Sequence, residues 1–264
     1  MKKFDREFIV AEHDTRHNRI IHFGNGRLIK SFSVELPLDI DLLRNGNLLL
    51  SSNRAIVEID KNWKEVWKLE SARLAFFSCQ EMRNGNILFG DASKAMILEV
   101  DRNKKIIRSF DFPYVKEPSD YLYAFRLIRE VAENRILIAC YNLKKLAVFD
   151  WDGNVHWECD LPGSPYMPVQ LGNSNILVSL GEYGKIVEIN TDKEIVWEYD
   201  MVRDNQLSLG WIAGISILEN GNIVYSDSKY DRLIEITKDK GLVSIFKDRN
   251  VLLHPSTHII CRMP

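Results

Sequence analysis

The chain has 264 residues, 45% of them hydrophobic and 27% charged, a globular composition that can bury a large core and excludes disorder and collagen-like repetition. Its 35 Lys and Arg against 37 Asp and Glu leave a formal net charge of −2, so no global positive field gathers nucleic acid or an anionic membrane surface. Neither partner is expected.

Met1 to Glu7 begins with the basic residues of a signal peptide, but the apolar stretch that follows, Phe8 to Ala11, is too short for a secretory core. No window approaches the roughly 18–20 apolar residues of a spanning helix, and a soluble, cytoplasmic protein is expected. Cys79, Cys140, Cys159 and Cys261 fall in apolar strand-like stretches without metal-ligand spacing, which reads as buried, reduced thiols.

One pattern then recurs six times: apolar strand, short Asn/Gly turn, apolar strand, polar gap, alternating strand, charged turn, aromatic-ending strand. The first copy is Phe8 to Ala11, Arg19 to Phe23 and Leu28 to Phe32. The second has Asn45 to Leu50, Ile56 to Asp60 and Val66 to Leu69; the third Asn84 to Phe89, Ile97 to Asp101 and Ile106 to Phe110. The fourth, without the glycine, has Asn134 to Ile138, Leu146 to Asp150 and Val155 to Cys159. The fifth has Asn173 to Val178, Ile186 to Asn190 and Ile195 to Tyr199; the sixth Asn220 to Tyr225, Leu233 to Thr237 and Leu242 to Phe246. Six units in 264 residues average 44 each, the period of four-stranded propeller blades. Short β-branched runs punctuated by Asn-Gly and Asp-rich turns favour strands over helical repeats.

The first unit lacks the strand that precedes the turn in every other unit, while 256–261 holds that position after the sixth. The expectation is an all-β, six-bladed β-propeller of four-stranded antiparallel blades. It forms a single domain over 1–264, closed by residues 256–261 pairing antiparallel with 8–11 as the inner strand of blade 1.

The Asn-Gly-Asn-Ile-Leu and Val-Trp-Glu-Tyr-Asp phrases resemble the blade repeats of the pyrroloquinoline-quinone-like and arylsulfotransferase-like propellers. All six units take part. The resemblance implies a β-propeller whose innermost strand precedes each Asn-Gly turn. Quinone binding in that group goes with an adjacent cysteine pair, which this chain lacks. Sulfotransfer implies channel histidines and an arginine, for which His258 and Arg126 are available.

With strands labelled A to D from the axis outward, the A–B and C–D connections are tight turns at one end of each blade. The B–C and D–A connections at the other end include the long ones, Glu12 to Asn18, Asp111 to Leu122, Asp200 to Gly210 and Lys247 to Pro255. Long loops on a rigid scaffold build sites, and tight turns leave little room for one. The residues near that end are Asp39, Arg73, Phe77, Tyr123, Arg126, Tyr166, Trp211, His254 and His258, a mixture of aromatic walls and a few charges suited to a small-molecule site or to a merely polar channel. Glu12 to His17 adds His13 and His17, which serve as ligand contacts, as a general base, or as part of a solvated loop.

Trp67, Trp157 and Trp197 occupy one repeated position and read as packing between blades. The Asn-Gly pairs read as turn chemistry rather than phosphate loops, and Asp101 and Asp150 as turn residues rather than calcium ligands. No metal and no cofactor is expected.

Two functions follow. In one the long-loop end and central channel bind a small molecule or protein partner, without chemistry. In the other the protein is an enzyme of the hydrolase, lyase or group-transfer kind, with His258 or His254 as acid/base and Arg126 or Arg73 holding an anionic group. An exposed aromatic patch of Tyr114, Tyr121, Trp211 and Tyr230 would favour the first.

Overall fold

A computed structural model of the chain describes residues 2–3, 6–13, 17–24, 26–71, 76–115, 117 and 124–260. The strands of the amino-terminal part are β1 (Lys2–Lys3), β2 (Phe8–His13), β3 (Asn18–Gly24), β4 (Arg27–Ser33), β5 (Asp39–Leu42), β6 (Leu48–Ser51), β7 (Ala55–Ile59) and β8 (Glu65–Glu70). Next come β9 (Phe76–Glu81), β10 (Ile87–Asp91), β11 (Met96–Val100), β12 (Ile106–Asp111), β13 (Ile128–Ala132), β14 (Arg135–Cys140), β15 (Lys145–Phe149) and β16 (Val155–Asp160). The remainder are β17 (Pro168–Gln170), β18 (Ile176–Leu180), β19 (Lys185–Ile189), β20 (Ile195–Asp200), β21 (Ile212–Ile217), β22 (Ile223–Asp227), β23 (Arg232–Ile236), β24 (Leu242–Phe246) and β25 (Pro255–Ile260).

They form six sheets: β25-β2-β3-β4, β5 to β8, β9 to β12, β13 to β16, β17 to β20, and β21 to β24 with β1 added to the outer edge. These are the six antiparallel four-stranded blades of a β-propeller. The chain divides into two compact units, Met1–Leu38 with Leu171–Pro264, and Asp39–Gln170.

Strands B and C are buried on both faces, β6, β7, β10, β18, β22 and β23 throughout. Their unbroken Leu, Ile and Val runs follow from that, since alternation is needed only where one face meets water. In the second unit Leu88, Ile97, Phe125, Ile136 and Phe149 share one cluster, and Leu49, Ile56, Phe76, Ile87 and Leu98 another. In the first unit Phe8, Ile21 and Phe23 pack with Val224 and Leu233.

The turn signature has a second half in strand C. Asn45 Oδ1 accepts from Asn47 N at 2.8 Å, and Gly46 takes φ 81°. Both asparagine amides then donate to Glu58, at 3.1 and 2.6 Å. Asn84 and Asn86 do the same to Glu99, and Asn175 and Asn222 bond Glu188 and Glu235. Each carboxylate also takes a cation: Arg102 on Glu58, Arg108 on Glu99, Lys238 on Glu188, Arg6 on Glu235. The C–D turns are aspartate turns as expected, with Asp101 Oδ1 accepting from Asn103 N and Lys105 N, and Asp150 Oδ1 from Asp152 N and Asn154 N. Trp67 and Trp197 donate Nε1 to the carbonyls of Arg102 and Lys238 in the following blade, each at 2.8 Å. That is the interblade role their repetition suggested.

Closure is the expected antiparallel pairing, in a register that sets Phe8 opposite Ile260, Ile9 opposite Ile259 and Val10 opposite His258. Ser256 Oγ adds a bond to Ala11 O at 3.2 Å, and Ser216 Oγ one to His258 O at 3.3 Å. A Cβ on Gly214 would lie 2.8 Å from Ser256 O, so the glycine lets β21 approach the closing strand. A second fastening was not expected. Lys2 and Lys3 pair parallel with Ser244 and Ile245, and Arg6 Nη2 reaches Glu235 at 2.7 Å. The Asp200 to Gly210 connection also contains one helical turn, α1 (Met201–Asn205), capped by the Asp200 side chain. Cys79, Cys140 and Cys159 are free and buried, as expected; Cys261 lies outside the described residues.

Glu99 is 1% exposed. Burial alone would raise its pKa, but Asn86, Arg108 and Asn84 outweigh burial and hold it below the usual range. Its stabilisation is therefore present above the unfolded carboxyl pKa and lost as pH falls through the folded one. Glu99→Ala is expected to cost about 2–4 kcal/mol in denaturant titration at pH 7, since three donors lose their acceptor. Deleting residues 255–264 is expected to lower the Tm of the whole fold by at least about 10 °C in circular dichroism melts. An unchanged melt contradicts closure.

Candidate functional site

In the second unit, Asp39 opens β5 fully buried, and Arg129 of β13 grips it with Nη2 on Oδ1 at 2.9 Å and Nη1 on Oδ2 at 2.8 Å. Oδ2 also accepts from Ser78 Oγ at 3.0 Å and Cys79 N at 3.2 Å, and Ile40 N bonds Oδ1 at 3.0 Å. Asp39, proposed above as a ligand contact, is thus spent on tying three inner strands together. Arg129 and Ser78, which make that tie, were not singled out in the sequence. A lone arginine in the strand Ile128–Ala132 was the available signal, because a buried guanidinium requires an anion.

Arg126 precedes β13 with its backbone N on Ala139 O at 2.9 Å. Its Cζ lies 4.3 Å from the centre of the Tyr141 ring and 5.4 Å from that of Phe77. Two aromatic contacts restrain the guanidinium, and its Nη1 donates to Phe125 O at 3.4 Å. Neighbouring Phe125 fills the space over Gly90, where a Cβ would fall 2.4 Å from Phe125 Cε2. Tyr166 is buried, and that burial pushes its hydroxyl up to about 12 despite the field of Arg126, so it is a neutral hydroxyl. Arg126 and Phe77 thus come together, with Tyr141 as a partner the sequence did not indicate. Arg73 and Tyr123 lie outside the described residues. Tyr114 packs on Phe112 and Phe149 and bonds Glu158, and Tyr121 lies outside the described residues.

In the first unit, His258 is 3% exposed and its Nδ1 meets Ser226 Oγ at 2.7 Å. Burial pulls its pKa down to about 4, the Val224 carbonyl opposing, so the ring is neutral at pH 7. His254 is exposed, holds φ 42°, and bonds Asp231 Oδ1 through its backbone N at 2.9 Å. Its ring stands edge-on to His13 at 4.8 Å. These two histidines come together. Glu12, beside them in sequence, turns inward: it pairs with Arg19 and accepts from Leu253 N at 2.9 Å, holding the segment before β25. His17 is exposed, and Asp14 to Arg16 lie outside the described residues. Trp211 is half-buried, with its N on Asp227 Oδ1 at 3.1 Å and its ring over Gly181.

The tight-turn end is not without room. In the second unit a pocket of about 280 Å³ opens beside Asp41, Gln80, Glu81 and Arg44. Burial, with Asp39 and Glu81 nearby, raises Asp41 to about 6 despite the bond from Glu81 N at 2.7 Å and the field of Arg129. Among the described residues no group of three or more His, Cys, Asp or Glu is placed to hold a metal.

No protein-family model matches the sequence, nor does any curated protein. Among solved structures, the chain is similar to a protein of unknown function from Bacteroides caccae, at 17% identity and TM-score 0.79, over 98% of this chain and 100% of that one. It is similar to a streptogramin B lyase at 18% identity and TM-score 0.68, over 97% and 87% of the two chains. A catalytically inactive histidine-to-alanine variant of virginiamycin B lyase from Staphylococcus aureus, with quinupristin, gives 14% identity and TM-score 0.66 over 94% and 87%. These likenesses show the shared fold alone. No helix among the described residues is long and apolar enough to cross a membrane.

Because the folded state holds the Asp41 proton more tightly than the unfolded chain, stability is expected to fall as pH rises from about 4 to about 6 and then to level. Asp41→Asn is expected to flatten that part of the profile in denaturant titrations across the range.

Proposed function

We propose that this protein is a cytoplasmic binding propeller whose long-connection end and central channel receive a small molecule or a protein partner, with Arg126 as the orienting charge. The observation that carries this reading is the guanidinium of Arg126 between Tyr141 and Phe77, at 4.3 and 5.4 Å. Stacking removes the rotational freedom an arginine otherwise loses on binding, and a guanidinium held in one plane suits a planar or oxyanionic group. In the same unit as Arg126, Tyr166, Tyr123 and Arg73 would supply further contacts; Trp211, His13 and His17 are the candidates of the other unit. The buried free thiols accord with a reducing compartment.

The enzymatic reading, by hydrolysis, elimination or arylsulfotransferase-like group transfer, keeps His258 and His254 as acid/base with Arg126 on an anionic group. The fold's likeness to a lyase whose histidine-to-alanine variant is called catalytically inactive favours it. Within it the exposed His254, edge-on to His13, is the better base, because neutral His258 with a pKa of about 4 draws a proton weakly at pH 7.

A panel of aryl carboxylates and aryl sulfates separates the readings. Binding measured by calorimetry is expected to weaken at least about ten-fold in Arg126→Met, which keeps an apolar stem between the rings, while Tm changes by less than about 3 °C. Equal affinity in that variant rejects the binding reading. Cleavage of an aryl sulfate that disappears in His254→Gln selects the enzymatic one.

A further inference from the structure

In the first unit three cations gather on one aromatic ring. Arg232 Cζ lies 5.0 Å from the centre of Tyr230, Lys229 Nζ 5.6 Å and Lys247 Nζ 6.0 Å. They come from three places in the chain: the turn Ser228–Tyr230 between β22 and β23, the first residue of β23, and the residue after β24. The carboxylates on the same elements have partners. Asp227 accepts from Arg232 Nε at 2.7 Å and from Trp211 N at 3.1 Å. Asp231 is held by Arg249 Nε at 2.9 Å and His254 N at 2.9 Å, and Asp248 accepts from Asn250 N at 3.0 Å.

Arg232 itself is 9% exposed, and its Nη2 is buried with no hydrogen-bond acceptor. A buried guanidinium nitrogen without an acceptor is unfavourable, and so is the mutual repulsion of three like charges around one ring. One ligand oxygen would relieve the first and one negative charge the second. Lys229 gives one proton to Leu209 O at 3.0 Å and keeps two.

We propose that Tyr230, Arg232, Lys229 and Lys247 form a binding site for a tetrahedral oxyanion, a phosphate or sulfate group, independent of the Arg126 site. Three cations on one ring can meet three oxygens, where a carboxylate offers two. Arg232 Nη2 is the anchor, the two lysines close over the outer oxygens, and the Tyr230 ring turns aside from the guanidinium to admit the ion.

The test titrates inorganic phosphate and, separately, sulfate into the intact protein. Ionic strength is held constant with chloride, and the backbone amides of residues 228–232 and 247–249 and the Tyr230 ring are followed by NMR. Saturable shifts at these positions are expected, weakened at least about ten-fold in the Lys229→Gln/Lys247→Gln double variant, whose exposed side chains leave folding untouched. Arg232→Lys is expected to abolish saturation. If that variant does not fold, the double variant still decides. Stronger response to phosphate or to sulfate identifies the preferred ion. Shifts that rise linearly, that chloride reproduces, or that the double variant leaves unchanged mean an adventitious ion only and overturn the site. Aryl ligands that still bind through Arg126 in the double variant show that the two proposals fail separately.

Discussion

In blades 2, 3, 5 and 6 a single carboxylate in the middle of strand C, on Glu58, Glu99, Glu188 or Glu235, gathers the amide of the Asn turn before it and a cation beside it. The group is almost completely buried in each case, so it persists only because donors surround it. Repetition of that arrangement fixes the A–B turn to strand C, and thereby the register of three strands at once. Blade 6 takes its cation from Arg6, so the same chemistry that shapes a blade also fastens the beginning of the chain to its last sheet. In blade 1 the position belongs to His22, paired with Glu7, and in blade 4 to Val148, where the charge and its latch are both gone.

The inner strands are tied by a different device, side chain to backbone across neighbouring blades. Asp41 receives Glu81 N, Glu81 receives Arg44 N, and Glu130 receives Arg83 N, at 2.7, 2.9 and 2.7 Å. These strand A carboxylates are half-buried and bonded, while Val66, Ile106 and Val196 of the D strands are exposed. Asp39 with Arg129 is the deepest of these ties.

What the sequence disclosed and what it hid divide along chain separation. The backbone of the Asn-Gly and Asp turns is set over two to four residues, as Gly85 at φ 88° and the Asp101 bonds show; the reach of the Asn amides to strand C was not legible. Closure was legible because an absent strand at one end had a surplus counterpart at the other. Asp39 read as an exposed channel group because its partner, Arg129, is 90 residues away. The stacking of Arg126 on Tyr141 was hidden likewise, since nothing local distinguishes a stacked arginine from a solvated one. Lys2–Lys3 have no strand signal at all; the open edge of β24 makes them a strand. The helical turn after Asp200 had its cap in plain view, but five residues are too few to register as a helix.

His258 and the two ring-bound arginines are held in contrasting surroundings. A general base needs a proton affinity near the working pH and access to the substrate. His258 has neither, being 3% exposed with a pKa of about 4, and it is instead the neutral partner of Ser226 within the closing strand. The guanidinium groups of Arg126 and Arg232 are set against the rings of Tyr141 and Tyr230, at 4.3 and 5.0 Å. The fold thus immobilises these two cations against rings while it buries His258 in its neutral form.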